Sequence, residues 1–362
     1  MDLVPLIDLI GEPQTALVGG LILGLAFGVF AQRSRYCTRS AVLSAMGESD
    51  LKPLATWAAG FATVILAVQA LLGSDLINVD ETRFFSTAQS LSGAIIGGLV
   101  FGIGMVLARG CVSRLLVLGA SGNLRGVFSI VIIAVTALAT YSGVLVPLRD
   151  SIGSVWSTAA IGGNDLLALT GLERWAGIAL GAALAIVALG FAVKARLSFW
   201  RLFGGVMIGL TVAAGWYFTW QLSTQVFEPI QAESLSFIRP LATTGELALA
   251  SGFAGLDQGV LIGAIVGAFV AALFSGEFRI STFSEPGVPS IWRYAAGSVL
   301  MGFGGILAVG CTIGAGLTGG SVLAVSSLLG LASMITGAAL TQLVLKSAAR
   351  ESVSQGAIVP AE

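Results

Sequence analysis

Histidine is absent from this 362-residue chain, and only 10% of its residues are charged. A soluble domain has about a quarter of its residues charged, so the sequence is not that of a soluble protein. Without histidine there is no imidazole for haem, no ordinary zinc site and no His-based triad. Cysteine is nearly absent too: Cys37, Cys111 and Cys311 are all there is, with no C-x-x-C. An odd number of widely spaced thiols makes neither a disulfide framework nor a paired redox motif. No G-x-x-x-x-G-K-[ST] occurs, which argues against direct ATP coupling. A net charge of −1 offers no footing for nucleic acid. The first residues, MDLVPLIDLI, begin with acid rather than base and lack a signal-peptide n-region. The first spanning helix is therefore expected to direct insertion, and no cofactor, metal or enzyme activity is expected.

What the chain has in abundance is apolar residues, 56% of the total, with a mean hydropathy of +0.95. An apolar stretch of about 20 residues covers a bilayer as a helix. Nine such stretches are expected, at 14–31, 51–73, 91–109, 124–148, 173–193, 200–220, 256–275, 290–310 and 321–346. The fold class is an all-α polytopic membrane protein with short re-entrant helices. Basic residues sort unevenly between alternate connections. Arg83, Arg149, Arg174 and Arg239 fall in one set, and the other 14 of the 18 fall in its alternate. That bias sets the N-terminus outside and the C-terminus in the cytoplasm of a bacterial inner membrane. Glycine is plentiful, and small-xxx-small pairs such as Gly20/Gly24/Gly28, Gly98/Gly102, Gly177/Gly181 and Gly263/Gly267 suit close helix packing in lipid.

An internal repeat underlies the chain. Residues 97–111, GGLVFGIGMVLARGC, align without a gap on 297–311, GSVLMGFGGILAVGC, 200 positions later. Seven of the fifteen positions are identical, including the cysteine. The spans carrying them run in opposite directions, so the repeat is inverted, an arrangement whose sites lie at the repeat interface in many transporters. One membrane domain, 1–362, is expected, with halves at 1–150 and 173–350. A weaker echo sets Gly24 and Gly28 beside Gly263 and Gly267, and Arg35-Tyr36-Cys37-Thr38 beside Arg279-Ile280-Ser281-Thr282. Ser281 is accordingly expected at a fourth break in the helices.

Each cysteine sits where an apolar stretch is interrupted: Cys37 after QRSRY, Cys111 after Arg109-Gly110, Cys311 after Gly310. Short segments beginning at Thr38, Val112 and Thr312 are too brief to span and need burial against other helices. A thiol at the start of such a segment meets free N–H groups and the positive end of the helix dipole, which favour an anion. A thiol also donates and accepts weakly, a soft contact from which a cargo can leave. Transport of a small soft anion follows, with Arg35 and Arg109 as candidates for attracting it. The acids Glu173, Glu246 and Asp257 are expected at helix starts, where negative charge is favourable. The loop 221–255, with Glu228, Glu233 and Arg239, carries no ligand motif, and its acidity is an unexpected lining for an anion entrance.

On RSRYCTRSA, GIGMVLARGCVSR and GFGGILAVGCTIGAG, the chain resembles the YeeE/YedE family over nearly its whole length. The resemblance implies thiosulfate uptake through an hourglass-shaped body, in which Cys37, Cys111 and Cys311 line a narrow path. They would pass the anion through S–H···S contacts without large rearrangement, with Gly110, Gly310, Thr38, Thr312 and Ser281 beside them. It also implies a cytoplasmic sulfur-carrier partner of the TusA type. Another sulfur or selenium oxyanion as cargo, and a membrane thiol oxidoreductase, are the alternative readings.

Overall fold

The computed structural model describes residues 2–226, 231–249 and 254–356, with side chains through 348; Glu228 lies outside the described residues, as does the side chain of Arg350. In chain order the α-helices are α1 (Val4–Ile10), α2 (Glu12–Ser34), α3 (Thr38–Ala45), α4 (Lys52–Gly73) and α5 (Leu91–Leu107). There follow α6 (Val112–Ala120), α7 (Leu124–Tyr141), α8 (Val146–Gly153), α9 (Leu166–Thr170) and α10 (Arg174–Lys194). The chain continues with α11 (Phe199–Ser223), α12 (Ile238–Leu249), α13 (Leu256–Phe274), α14 (Ile291–Leu307) and α15 (Val325–Gly356). A wide-turned π-helical segment covers Thr312–Gly319. Nine helical segments among the described residues are long and apolar enough to cross a membrane, and each overlaps one expected span.

Two boundaries differ from the sequence reading. The fourth span stops at Tyr141 rather than 148, because Arg149 folds back from α8 and donates to the carbonyls of Thr140 and Tyr141. Glu246 sits well inside α12 rather than at a helix start, whereas Glu173 is the N-cap of α10 and Asp257 lies in the first turn of α13.

The centre of the molecule is the crossing of α5 and α14. A Cβ added at Gly97 would lie 2.7 Å from the carbonyl oxygen of Gly304, and one at Gly104 would lie 2.5 Å from that of Gly297. The reciprocal contacts hold as well: Gly304 meets the Gly97 oxygen at 2.6 Å and Gly297 meets the Gly104 oxygen at 2.7 Å. The helices are therefore antiparallel. Positions 200 residues apart exchange places, as a two-fold axis between inverted halves requires. Flanking packing follows suit, with Gly102 against Met334 and Ala338 on α15, and Gly302 against Ile133 and Ala137 on α7.

The pairing of α2 with α13 has a different sense. Gly20, Gly24 and Gly28 press on the backbone of Leu256, Val260 and Ala264 in ascending order. The two helices run parallel, and their ends meet through Arg35 and Glu277, 3.1 Å apart. Such glycine seams allow backbones to approach within lipid.

The connections divide between two faces. On one, the connection after α13 meets those after α2 and α5: the N–H of Leu124 donates to the Ser281 carbonyl at 2.9 Å, and Arg125 pairs with Glu285 at 3.2 Å. On the other, Asn164 of the connection after α7 donates to the Phe84 carbonyl and accepts from the N–H of Ser326. Arg83 there pairs with Glu233. Asn164 thus acts as a buried staple. The grouping of connections matches the alternate sets in which the basic residues were sorted.

Candidate functional site

All three cysteines are set by the same backbone device. The helix before each ends in a left-handed residue, Arg35 (φ 56°), Arg109 (φ 61°) or Val309 (φ 60°), two positions ahead of the thiol. The next N–H reaches back five residues: Tyr36 to Ala31, Gly110 to Met105 and Gly310 to Gly305. This six-to-one bond is the Schellman ending of a helix. The cysteine follows with extended backbone as the N-cap of a new helical segment, and its carbonyl accepts the first helical bond from Ala41, Leu115 or Ala315. None of the three thiols makes a capping hydrogen bond to its own helix. The left-handed residues are not glycine, and a non-glycine there costs about 1–2 kcal/mol. Strain of this kind gathers where a chain must aim a functional group.

The cysteines are free and buried, within one contiguous apolar core. Cys37 and Cys111 are close neighbours, and the Cys111 sulfur stands 3.4 Å from the Ser113 hydroxyl. Both thiols lie on the face formed by the connections after α2 and α5. Cys311 belongs to the opposite face, where Gly310 and Val309 form part of the wall of a cavity of about 620 Å³.

Around Cys37 and Cys111 the charge is basic. Arg114 feels the fields of both thiols, and Arg39 those of Cys37, Arg109 and Arg293. Among the described residues no carboxylate pairs with Arg39, Arg109, Arg114 or Arg293 at ion-pair distance. Arg39 Nε, Arg114 Nη1 and Arg293 Nε are buried with no hydrogen-bond partner. A buried guanidinium nitrogen left without a partner is costly, and three of them stand on half-buried arginines on the same face as the two thiols.

The sequence-derived residues distribute as follows. Thr38 is buried and its hydroxyl accepts from the Trp57 indole at 3.1 Å, while the Thr312 hydroxyl is buried without a partner. At Gly310 a Cβ would meet the Ala315 nitrogen at 2.6 Å, and at Gly110 the Leu115 side chain at 3.2 Å; both glycines let the new helix start close against the old one. Arg35 is turned outward to Glu277, so its place is the rim rather than the thiols. Ser281 starts no helix. Its N–H donates to the Gly122 carbonyl in an irregular connection, on the same face as Cys37. Because α2 and α13 run parallel, their ends cannot be an inverted pair, and the fourth break expected at Ser281 is absent. The segment that approaches Cys311 is instead the extended stretch before α12. The Leu235 carbonyl accepts from Thr318 at 2.6 Å, and a Cβ at Gly314 would meet the Ser236 hydroxyl at 2.6 Å. Neither Ser236 nor the interior position of Arg39 was marked by any local motif.

Antiparallel inverted spans, broken at buried thiols that face opposite sides, define a multi-pass membrane protein of transporter type. Comparison with known families agrees: residues 33–340 match the model of the sulphur transport family. The chain belongs to that family. Among curated proteins it is similar to the thiosulfate transporter TsuA of Spirochaeta thermophila, 30% identical over 82% of this chain and 88% of that one. It is also similar to the thiosulfate transporter TsuA of Escherichia coli, 25% identical over 82% of this chain and 86% of that one.

Proposed function

We propose that this protein carries thiosulfate inward across the bacterial inner membrane, from the Cys311 face to the Cys37–Cys111 face. The observation that carries the reading is the threefold use of one helix-break device, each time placing a buried, uncapped thiol at a helix start. Two such thiols sit on one face and one on the other, so a path between faces meets sulfur at both ends. The names of its relatives supply the cargo. Thiosulfate has a soft terminal sulfur and a hard sulfonate end. The thiols engage the first by weak S–H···S contacts, and helix N–H groups and arginines engage the second. The N-terminus is periplasmic and the C-terminus cytoplasmic in this reading, and a TusA-type carrier receives the sulfur inside.

The test is uptake of labelled thiosulfate by cells that lack other routes, with Cys37, Cys111 and Cys311 changed to alanine singly and together. Loss of uptake in the triple variant, with normal amounts of protein in the membrane, is expected. Normal uptake by that variant ends the relay reading. Unlabelled selenite or sulfite competing better than thiosulfate would reassign the cargo. A Cys37–Cys111 disulfide that forms and opens in step with uptake would favour a thiol oxidoreductase instead.

A further inference from the structure

Basic residues without acidic partners also gather at the periphery of the Cys37 face. Arg33 is exposed in the last turn of α2, Lys194 ends α10, and Arg196 and Arg201 follow on the way into α11. None of these four forms an ion pair among the described residues. No Asp or Glu occurs in the sequence between Glu173 and Glu228. Arg33 feels the field of Glu277, whose carboxylate is already taken by Arg35 and Gln32. Arg201 feels that of Asp50, which is taken by Lys52.

Arg33 also lines a groove. Helices α11 and α13 both pack on α2, and the space left between them over α2 is a cavity of about 340 Å³. Its walls are Phe30, Trp200, Phe203, Val270 and Phe274, and Arg33 is the one charged residue that reaches it. Gly204 brings α11 down onto α2: a Cβ there would stand 2.7 Å from the Ser34 Cβ. Rings run up the α11 side of the groove, with Phe199 stacked on Phe203 at 5.7 Å and Phe203 edge-on to Phe30 at 5.9 Å. On the outer side Phe274 is 90% exposed and Trp200 60%. Aromatic rings collect at the level of lipid headgroups, so these rings and the Arg33 cation mark one depth, and the groove descends from it.

We infer that this groove is a binding site for an anionic phospholipid, with the lipid phosphate on Arg33 and one acyl chain laid between α11 and α13. Charge selects the occupant. Any lipid tail covers an apolar surface, but an unpaired guanidinium at the head of the groove favours a headgroup of net negative charge. Guanidinium meets phosphate oxygens through two parallel N–H bonds, and Lys194, Arg196 and Arg201 add attraction at longer range. A zwitterionic headgroup brings its own cation and gains less. A free phosphate ion leaves the groove unfilled, and a second copy of the chain would set like charges against each other. Arg33 lies two residues before the left-handed Arg35, so the bound headgroup holds the end of α2 from which Cys37 is set. The site stands independently of the cargo.

Native mass spectrometry of the purified full chain in detergent tests this, with dioleoyl phosphatidylglycerol and dioleoyl phosphatidylcholine as probes. The unaltered protein should bind the first lipid about fivefold more tightly than the second, the effect of one cation at a headgroup. Arg33→Gln should erase that preference, and Arg174→Gln, at the opposite end of α10, should leave it intact. Val270→Trp, which fills the groove from its lipid-facing wall, should weaken both lipids alike. Inorganic phosphate in excess should leave the lipid bound. Equal binding of the two lipids by the unaltered protein, or an unchanged preference in Arg33→Gln, overturns the site. Displacement of phosphatidylglycerol by inorganic phosphate overturns it too, since Arg33 would then serve a free anion. So does a dimer that Val270→Trp dissociates, since the groove would then hold a second chain.

Discussion

The two ends of the molecule handle arginine in opposite ways. At the Cys37–Cys111 end, Arg39, Arg109, Arg114 and Arg293 have no paired carboxylate among the described residues, and three of them bury a nitrogen with no partner. At the Cys311 end, Arg83, Arg149 and Arg239 are each paired. A paired arginine holds an anion loosely, because the anion must share the guanidinium with a resident acid. An unpaired one holds it more firmly, because the incoming charge relieves a standing desolvation cost. On the transport reading proposed above, the difference would set a slope of affinity between the faces, with the stronger attraction beside the two thiols.

Removing charge at each end breaks this comparison most sharply. Arg239→Gln strands Asp257 and half of Glu233, and should lower stability by about 3 kcal/mol, the penalty for breaking a buried pair. Arg114→Gln strands nothing and should raise stability by about 1 kcal/mol while cutting thiosulfate uptake, since functional strain and stability trade against each other. Denaturation of both variants in the same detergent measures the contrast; destabilisation by Arg114→Gln would show that its charge is satisfied after all.

The helix breaks provide a second, smaller contrast. Val309 and Arg109 occupy equivalent left-handed positions, but a β-branched residue suffers more there. Val309→Gly should stabilise the protein by about 1 kcal/mol and Arg109→Gly by less. Thermal melts of the two variants rank them, and an equal gain would remove the case that the Cys311 break is the more strained.

The smallest effect lies at the rim. Burial pushes the Glu277 carboxyl up, but Arg35 and Gln32 outweigh it and hold its pKa below the usual value. A depressed carboxyl contributes stability above its unfolded pKa and loses it as pH falls through the folded one. Acidification below the ordinary carboxylate range should therefore weaken the α2–α13 seam. With the Arg35 side chain 60% exposed, the loss is at most about 1 kcal/mol. Glu277→Gln should abolish that part of the pH dependence in unfolding measurements, and an unchanged profile would assign it to another acid.

Much of the architecture was legible because it is written locally. Nine apolar stretches mark the spans, and glycine spacing marks the seams. The repeated G-x-G-x(5)-G-C marks the central crossing, since a helix end and its following cap need only a few neighbouring residues. Ser281 misled because glycine spacing records that two helices touch but not whether they run parallel, and that sense depends on the whole intervening topology. The Cys311 cavity was illegible for a related reason. Residues 83, 149, 236 and 239 meet only once three connections have folded onto one face. The sparse set of basic residues was still a trace of it: three of four arginines set against the charge bias of their face share one cavity.

The reciprocal glycine contacts at the α5–α14 crossing also limit how the protein can work. Each helix rests on the other's carbonyl oxygens at two heights, so neither has room to slide, roll or pivot without steric overlap. Rocking of one half against the other, the motion by which many carriers expose a site alternately, is thereby denied a hinge at the centre. On the transport reading proposed above, cargo would pass beside a waist of fixed width and be selected for size there in the manner of a sieve rather than a revolving door.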